Sequence, residues 1–143
     1  MTSEVYWVMV NRNWDGRIAV RHSKRVVSGS LEVAQTIPKV KGRGVEEVKF
    51  VFFKPEHLLL LPEDLEKERR KRKLRQDIIA QIQANKTYPD FARDNPNGDC
   101  WQDEQGLWHS IYFHRHDTDD LDCLNIYNSV EWNHKTWFGG TRI

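Results

Sequence analysis

The sequence is poor in cysteine and in long apolar runs, and each shortage excludes a class of protein. Two cysteines in 143 residues, Cys100 and Cys123, are too few for the disulfide scaffold of a small secreted protein, so reduced thiols are expected. The longest apolar run, HLLLLP, is far shorter than the roughly 18 residues of a membrane-spanning helix. The first residues, MTSEVYWVMV, lack the basic start of a secretory signal. We therefore expect a cytoplasmic location and no membrane partner.

Motifs that identify common enzymes are also missing from the sequence. It contains no CxxC or HExxH metal pattern, no glycine-rich phosphate loop and no serine in a G-x-S-x-G turn. The sequence favours a non-catalytic role, and no cofactor is predicted for it. A chain of this length can bury a core without a structural metal.

Charge is distributed unevenly along the chain although the net charge is only +1. Residues 1–61 contain ten Lys and Arg against six Asp and Glu, residues 62–86 eight against five, and residues 87–143 four against ten. We predict a single domain over 1–143, with a basic part at 1–86 and an acidic, Trp- and His-rich part at 87–143. A basic surface attracts polyanions, so the imbalance bears on partners rather than on fold.

Strand patterns dominate the first fifty residues. The run 5–10 is β-branched and aromatic and places Trp7 in the core, while Asp15-Gly16 is typical of a hairpin turn. The following segment, 17–27, alternates between apolar and polar residues. As a strand it would carry Arg17, Arg21 and Arg25 on one face as a basic stripe. The Val- and Phe-rich run 48–53 predicts a central strand.

One long helix is predicted from Pro62 to about Asn85. Pro62 suits a first turn, acidic residues follow it, and Leu74, Ile78 and Ile82 form an apolar stripe that can dock on a sheet. The first half reads KERRKRKLR and is basic on every side, so we expect it to project or to flank a groove. Its seven cations are Lys67, Arg69, Arg70, Lys71, Arg72, Lys73 and Arg75.

The carboxy-terminal part predicts a hairpin that turns near Gly106. In the returning strand, Leu107, His109, Ile111 and Phe113 share the apolar face, and His114 and His116 share the other. The segment 124–140 is compatible with one more strand or a short helix. The predicted fold is therefore α+β, an antiparallel β-sheet of about five strands, rich in hairpins, packed with one long central helix.

The stretch FHRHDTDDLDC, residues 113–123, carries the densest set of chemically active side chains. His114 and His116 could give two nitrogens to one divalent metal, with zinc as the expected ion and Asp117 and His134 as further ligands. The spacing fits no established metal signature, and a solvated hairpin end explains the same residues. The alternative function is a metal-dependent hydrolase or nuclease that uses this histidine pair.

Tryptophan is abundant, and four of the six lie in the acidic part. Exposed rings beside acidic residues are typical of a protein interface, which makes Trp101, Trp108, Trp132 and Trp137 interface candidates; their other use is to fill the core. The sequence as a whole predicts a small intracellular binding or accessory protein, of the kind that phages and mobile elements use as inhibitors. It would dock on a protein or nucleoprotein partner, with any nucleic acid bound without base-specific readout.

Overall fold

A computed structural model describes residues 2–57, 61–115, 122–130 and 132–143 of the chain, without the side chains of Thr2 and Val26. The described residues form an α+β fold with two four-stranded sheets. The strands are β1 (Thr2–Asn11), β2 (Val26–Ser28), β3 (Val45–Lys54), β4 (Leu74–Arg75), β5 (Asn97–Gln102), β6 (Trp108–Arg115), β7 (Asp122–Tyr127) and β8 (Phe138–Arg142). The helices are α1 (Gly16–Arg21), α2 (Leu31–Ala34), α3 (Pro62–Lys71), α4 (Ile78–Thr87) and α5 (Pro89–Asp94).

The prediction of one sheet with one long helix is therefore only partly right. The α+β class is confirmed, but the strands divide into a first sheet of order β1-β3-β8-β4 and a second of order β2-β7-β6-β5. Pairing is antiparallel throughout the first sheet, whereas β2 runs parallel to β7 in the second. No helix in the described ranges is long and apolar enough to cross a bilayer.

The predicted hairpin at Asp15-Gly16 is wrong because Asp15 caps a helix instead. Its carboxylate accepts a hydrogen bond from the backbone N–H of Ile18 at 2.9 Å, which satisfies one of the amides left open at the start of α1. Gly16 is needed for space rather than for a turn. A Cβ there would lie 2.1 Å from the carbonyl oxygen of Ala34, so α1 and α2 could not approach as closely.

The predicted long helix is broken in the middle of its basic run. Helix α3 ends after Lys71, Lys73 takes a left-handed backbone with φ of 56°, and Leu74–Arg75 pair with β8 as the short strand β4. A second helix, α4, begins with Asp77 as its N-cap, accepting from the N–H of Ala80. The sequence therefore makes two helices of ten residues each where we predicted one.

Helix α4 occupies the centre of the fold. Ile78 and Ile82 are buried, as their predicted apolar stripe requires, and pack in a core that includes Phe50 and Phe52 of the first sheet. The same core includes Ile111 and Phe113 of the second sheet, so both sheets enclose it.

A smaller apolar cluster lies on the opposite face of the first sheet. It contains Val51, Phe53 and Phe138 from the sheet and Leu65 from α3. Helix α3 therefore covers part of this face, which we call the outer face, and ends beside the rest of it.

Two predictions about strands are confirmed. Strand β3 lies between β1 and β8, so it is interior as the run 48–53 predicted. Strands β5 and β6 pair as an antiparallel hairpin with Gly106 in its turn, and His109, Ile111 and Phe113 are buried on one face. Leu107, which was predicted on the same face, is 57% exposed because it precedes the start of β6. The segment whose type the sequence left open forms the two strands β7 and β8.

Candidate polyanion-binding groove

The end of helix α3 and the outer face of the first sheet enclose a groove of about 390 Å³. We call it the cationic groove and define it by its lining residues, Ser3, Val51, Lys71, Arg72, Lys73, Leu74 and Arg142. Val51 and Leu74 are buried and form an apolar floor. Four of the seven lining side chains are cations.

Three features of the backbone bring the four cations to the groove. Lys71 is the last residue of α3 and Arg72 is its C-cap, so both lie where the helix ends against the sheet. Lys73 occupies the left-handed turn that follows. Arg142 comes after the buried Thr141 in β8 and, because strand side chains alternate, points to the outer face.

Lys71 and Arg72 both donate to the carboxylate of Glu68. Glu68 accepts hydrogen bonds from both, at 3.4 Å from Lys71 Nζ. Burial disfavours the charge of Glu68, but these two hydrogen bonds outweigh burial, so the pKa of Glu68 lies below its ordinary value. Glu68 is therefore ionised at neutral pH and offsets part of the positive charge of the helix end.

Lys73 and Arg142 bring charge that is not neutralised in this way. Within the described ranges neither forms a salt bridge, and both side chains are exposed. Arg72 lies with its guanidinium carbon 4.4 Å from the centroid of the Phe53 ring, which holds it down on the sheet. The groove thus combines fixed and free cations above an apolar floor.

The other predicted cations are distributed over different surfaces. Lys67 and Arg70 are exposed on α3, and Arg75 is exposed on β4. Arg17 and Arg21 lie on helix α1, four residues apart, so the predicted basic stripe on a strand is wrong. None of these five residues lines the cationic groove.

Arg25 and Arg69 correct the prediction of exposed cations, because both are buried. Arg25 donates to the backbone carbonyls of Asn85 and Cys123. Arg69 is only 1% exposed and forms a salt bridge with the buried Asp99, and it donates to the carbonyl of Gly139 at 3.0 Å. These two arginines connect elements of the fold and are buried between them.

The tryptophan candidates divide into core and surface residues. Trp101 and Trp137 are 2% and 7% exposed, so the prediction of surface rings is wrong for these two and the core alternative holds. Trp132 is half-buried and packs edge-on against Phe138. Trp108 is 37% exposed beside the exposed Leu107 in the β5–β6 hairpin.

Trp7 is the residue that sequence reasoning placed most wrongly. It was predicted in the core, yet 53% of it is exposed on the outer face. Alternation within β1 does fix two faces, but which face is buried depends on where α4 and α3 pack. The groove residue Arg142 was missed altogether, because only the pairing of β8 with β4 brings it to α3.

The metal candidates remain a prediction. His116 and Asp117 lie outside the described residues. His134 is exposed, and the Nε2 of His114 accepts from the side-chain amide of Asn125 at 2.6 Å. A neutral imidazole that accepts at Nε2 carries its proton on Nδ1, so neither nitrogen of His114 has a free lone pair for a metal while this hydrogen bond is made. The described ranges contain no group of three or more His, Cys, Asp and Glu side chains that could hold a metal ion.

Cys100, the more deeply buried of the two cysteines, is a poor candidate for a nucleophile. Burial, together with the neighbouring Asp99, raises the pKa of its thiol far above the ordinary value. The reactive form of cysteine is the thiolate, so this environment suppresses reactivity.

No family model, curated protein or solved structure matches the chain.

Proposed function

We propose that the chain is a small, non-catalytic, cytoplasmic binding protein whose cationic groove engages the phosphates of a nucleic acid or nucleoprotein partner. The observation that supports the proposal is the convergence of Lys71, Arg72, Lys73 and Arg142 on one groove. Cations at such a site displace the counterions condensed on a phosphate chain, which favours binding at low salt. The groove offers cations and an apolar floor, which suit contact with a phosphate backbone rather than recognition of particular bases.

The geometry also supports a surface that is ready before the partner arrives. The guanidinium of Arg72 is held against Phe53 and by Glu68. Groups fixed in place lose less conformational entropy on binding than mobile side chains. The acidic part of the chain is then free to contact the protein component of a nucleoprotein partner, with Trp108 as the exposed ring.

Charge reversal in the groove tests the proposal. Lys71→Glu with Arg142→Glu should raise the dissociation constant for a labelled oligonucleotide at least about tenfold at low salt, because it removes two phosphate contacts. The slope of log affinity against log salt should fall by about two. Fluorescence anisotropy over a salt series measures both quantities.

A matched control separates the groove from net charge. Lys39→Glu with Lys135→Glu makes the same change in net charge at exposed residues that do not line the groove. The control should keep most of the affinity and the wild-type salt slope. Equal loss in the two double variants, or no binding of any oligonucleotide by the wild-type chain, would contradict the proposed function.

A further inference from the structure

Strand β1 presents a row of apolar side chains on the outer face. Val5, Trp7 and Met9 are 48%, 53% and 50% exposed, and they alternate with the inward-facing Val8 and Val10, which are buried. A contiguous exposed apolar row on a sheet is unusual for a surface without a partner. Among the strands that the structure describes, β1 pairs with β3 alone, so this row lies at the sheet's edge.

The row is continuous with the cationic groove. Ser3, at the start of β1, lines the groove, and Val5 lies directly across from Val51, which forms part of its floor. Trp7 lies across from Lys49, whose Nζ is 5.0 Å from the centroid of the indole ring. Cations and an exposed aromatic ring therefore follow one another along the same face.

We propose that this face binds single-stranded nucleic acid, with a base stacked on Trp7 and the adjoining phosphates held by Lys49 and the cations of the groove. The inference rests on the proposed function and names its ligand class. Proteins that hold single strands without sequence preference combine a cationic track with aromatic rings, since every base has a face that can stack. The exposed part of Trp7 supplies that ring.

A single strand fits this face better than a duplex does. In a duplex the bases are stacked on one another and only the phosphates and groove edges are accessible, so Trp7 would have no base face to contact. The apolar floor at Val51 and Leu74 likewise suits bases that have left a stack.

Protein strand addition at the same edge is disfavoured by Tyr88. The hydroxyl of Tyr88 donates to the backbone carbonyl of Trp7 at 3.0 Å. This carbonyl on the open edge of β1 therefore already has a hydrogen-bond donor. The Tyr88 ring packs against Tyr6 at 4.5 Å between centroids, which holds the hydroxyl in place. An added strand would have to displace Tyr88, whereas a base on the outer face would not.

Replacement of Trp7 tests the inference. Trp7→Ala should weaken binding of an oligothymidylate of about 12 nucleotides by about tenfold or more. Trp7→Phe keeps a smaller ring and should weaken binding less. An oligouridylate of similar length should respond in the same way. Tyr127→Ala removes another partly exposed ring, in β7 of the second sheet, and should leave binding unchanged. A duplex of the same length should bind more weakly and should not respond to Trp7→Ala.

A second variant keeps the test valid if Trp7→Ala does not fold. Glu47 lies across from Met9 and is exposed on the same face, so Glu47→Lys should tighten binding of the single strand. If single strands and duplexes bind equally and Trp7→Ala has no effect, while charge reversal in the groove still weakens binding, the inference is overturned and the proposed function survives. If the chain instead self-associates in sedimentation through Trp7, the face is a dimer interface and the inference is overturned as well.

Discussion

Individual residues on this chain behave according to their partners rather than their type. Arg69 belongs to a run of cations that looks solvent-facing in sequence, yet it is buried against Asp99, thirty residues away. Asp99 also accepts from the Gln76 side chain and from the backbone N–H of Cys100. These donors stabilise the carboxylate, and the guanidinium donates to Asp99, to Glu66 and to the carbonyl of Gly139, so both groups can be buried at this point of α3.

Removal of Arg69 should destabilise the fold strongly. Arg69→Met leaves the charge of Asp99 buried without its counter-ion, and we expect a loss of about 3–5 kcal/mol in the free energy of unfolding. Urea denaturation followed by circular dichroism measures the loss.

The double variant provides the control. Arg69→Met with Asp99→Asn removes both charges but keeps an acceptor for Gln76 and Cys100, so it should lose less stability than Arg69→Met alone. If Arg69→Met lowers the free energy of unfolding no more than a surface substitution does, Arg69 and Asp99 do not form a buried ion pair in solution.

Sequence alone could not separate Arg69 from its neighbours. Arg70 and Lys71 have the same chemistry and are exposed, and the difference arises only because Arg69 lies on the same side of α3 as the buried Leu65. That spacing of four residues is visible in the sequence and is the one signal that could have identified Arg69. Its partner Asp99 was not visible, because the contact depends on the packing of β5 beside α3.

At the scale of secondary structure, the predicted long helix is interrupted at a point that the apolar pattern of the sequence does not reveal. The stripe Leu74, Ile78 and Ile82 has helical spacing, but Lys73 turns the chain so that Leu74 belongs to β4 and the other two to α4. The backbone N–H of Ile143 donates to the carbonyl of Lys73 at 3.3 Å, which ties the break to the end of β8. Tertiary pairing thus overrides helix propensity over these residues.

Substitution of Lys73 tests this break. A left-handed backbone costs a residue with a Cβ roughly 1 kcal/mol, so Lys73→Gly should raise the free energy of unfolding by about 0.5–1 kcal/mol. Thermal and urea unfolding report the gain. Lys73→Ala removes the same charge but keeps the Cβ, so it should bring no such gain. A loss of stability in Lys73→Gly would mean that α3 continues through residue 73.

Strands whose pattern has a strict period of two were predicted well. In β6 the predicted alternation places His109, Ile111 and Phe113 on the buried face, and the hairpin has Gly106 in its turn. Segment 17–27 also alternates in part, but Asp15 caps the helix α1 before the pattern can form a strand. A local hydrogen bond decided that outcome, and Asp at an N-cap position was its sequence signal.

At the scale of the whole molecule, some of the charged residues form buried ion pairs and others remain on the surface. Buried ion pairs join distant parts of the fold, as Arg12 does with Asp77 at 2.8 Å. Other cations remain on the surface, where the end of α3 meets the outer face of the first sheet. The sequence predicted that the basic run would project or flank a groove, and it could not show that β8 brings Arg142 to the end of α3.

The most direct test of the central claim is a map of where an oligonucleotide contacts the protein. Backbone and indole N–H chemical shifts would be followed by NMR while a short single strand is titrated into the isotope-labelled chain. We expect the changes to concentrate at Ser3, Val51, Leu74 and Arg142 and at the indole N–H of Trp7. Changes confined to the β5–β6 hairpin around Trp108, or no changes at saturating oligonucleotide, would contradict the account.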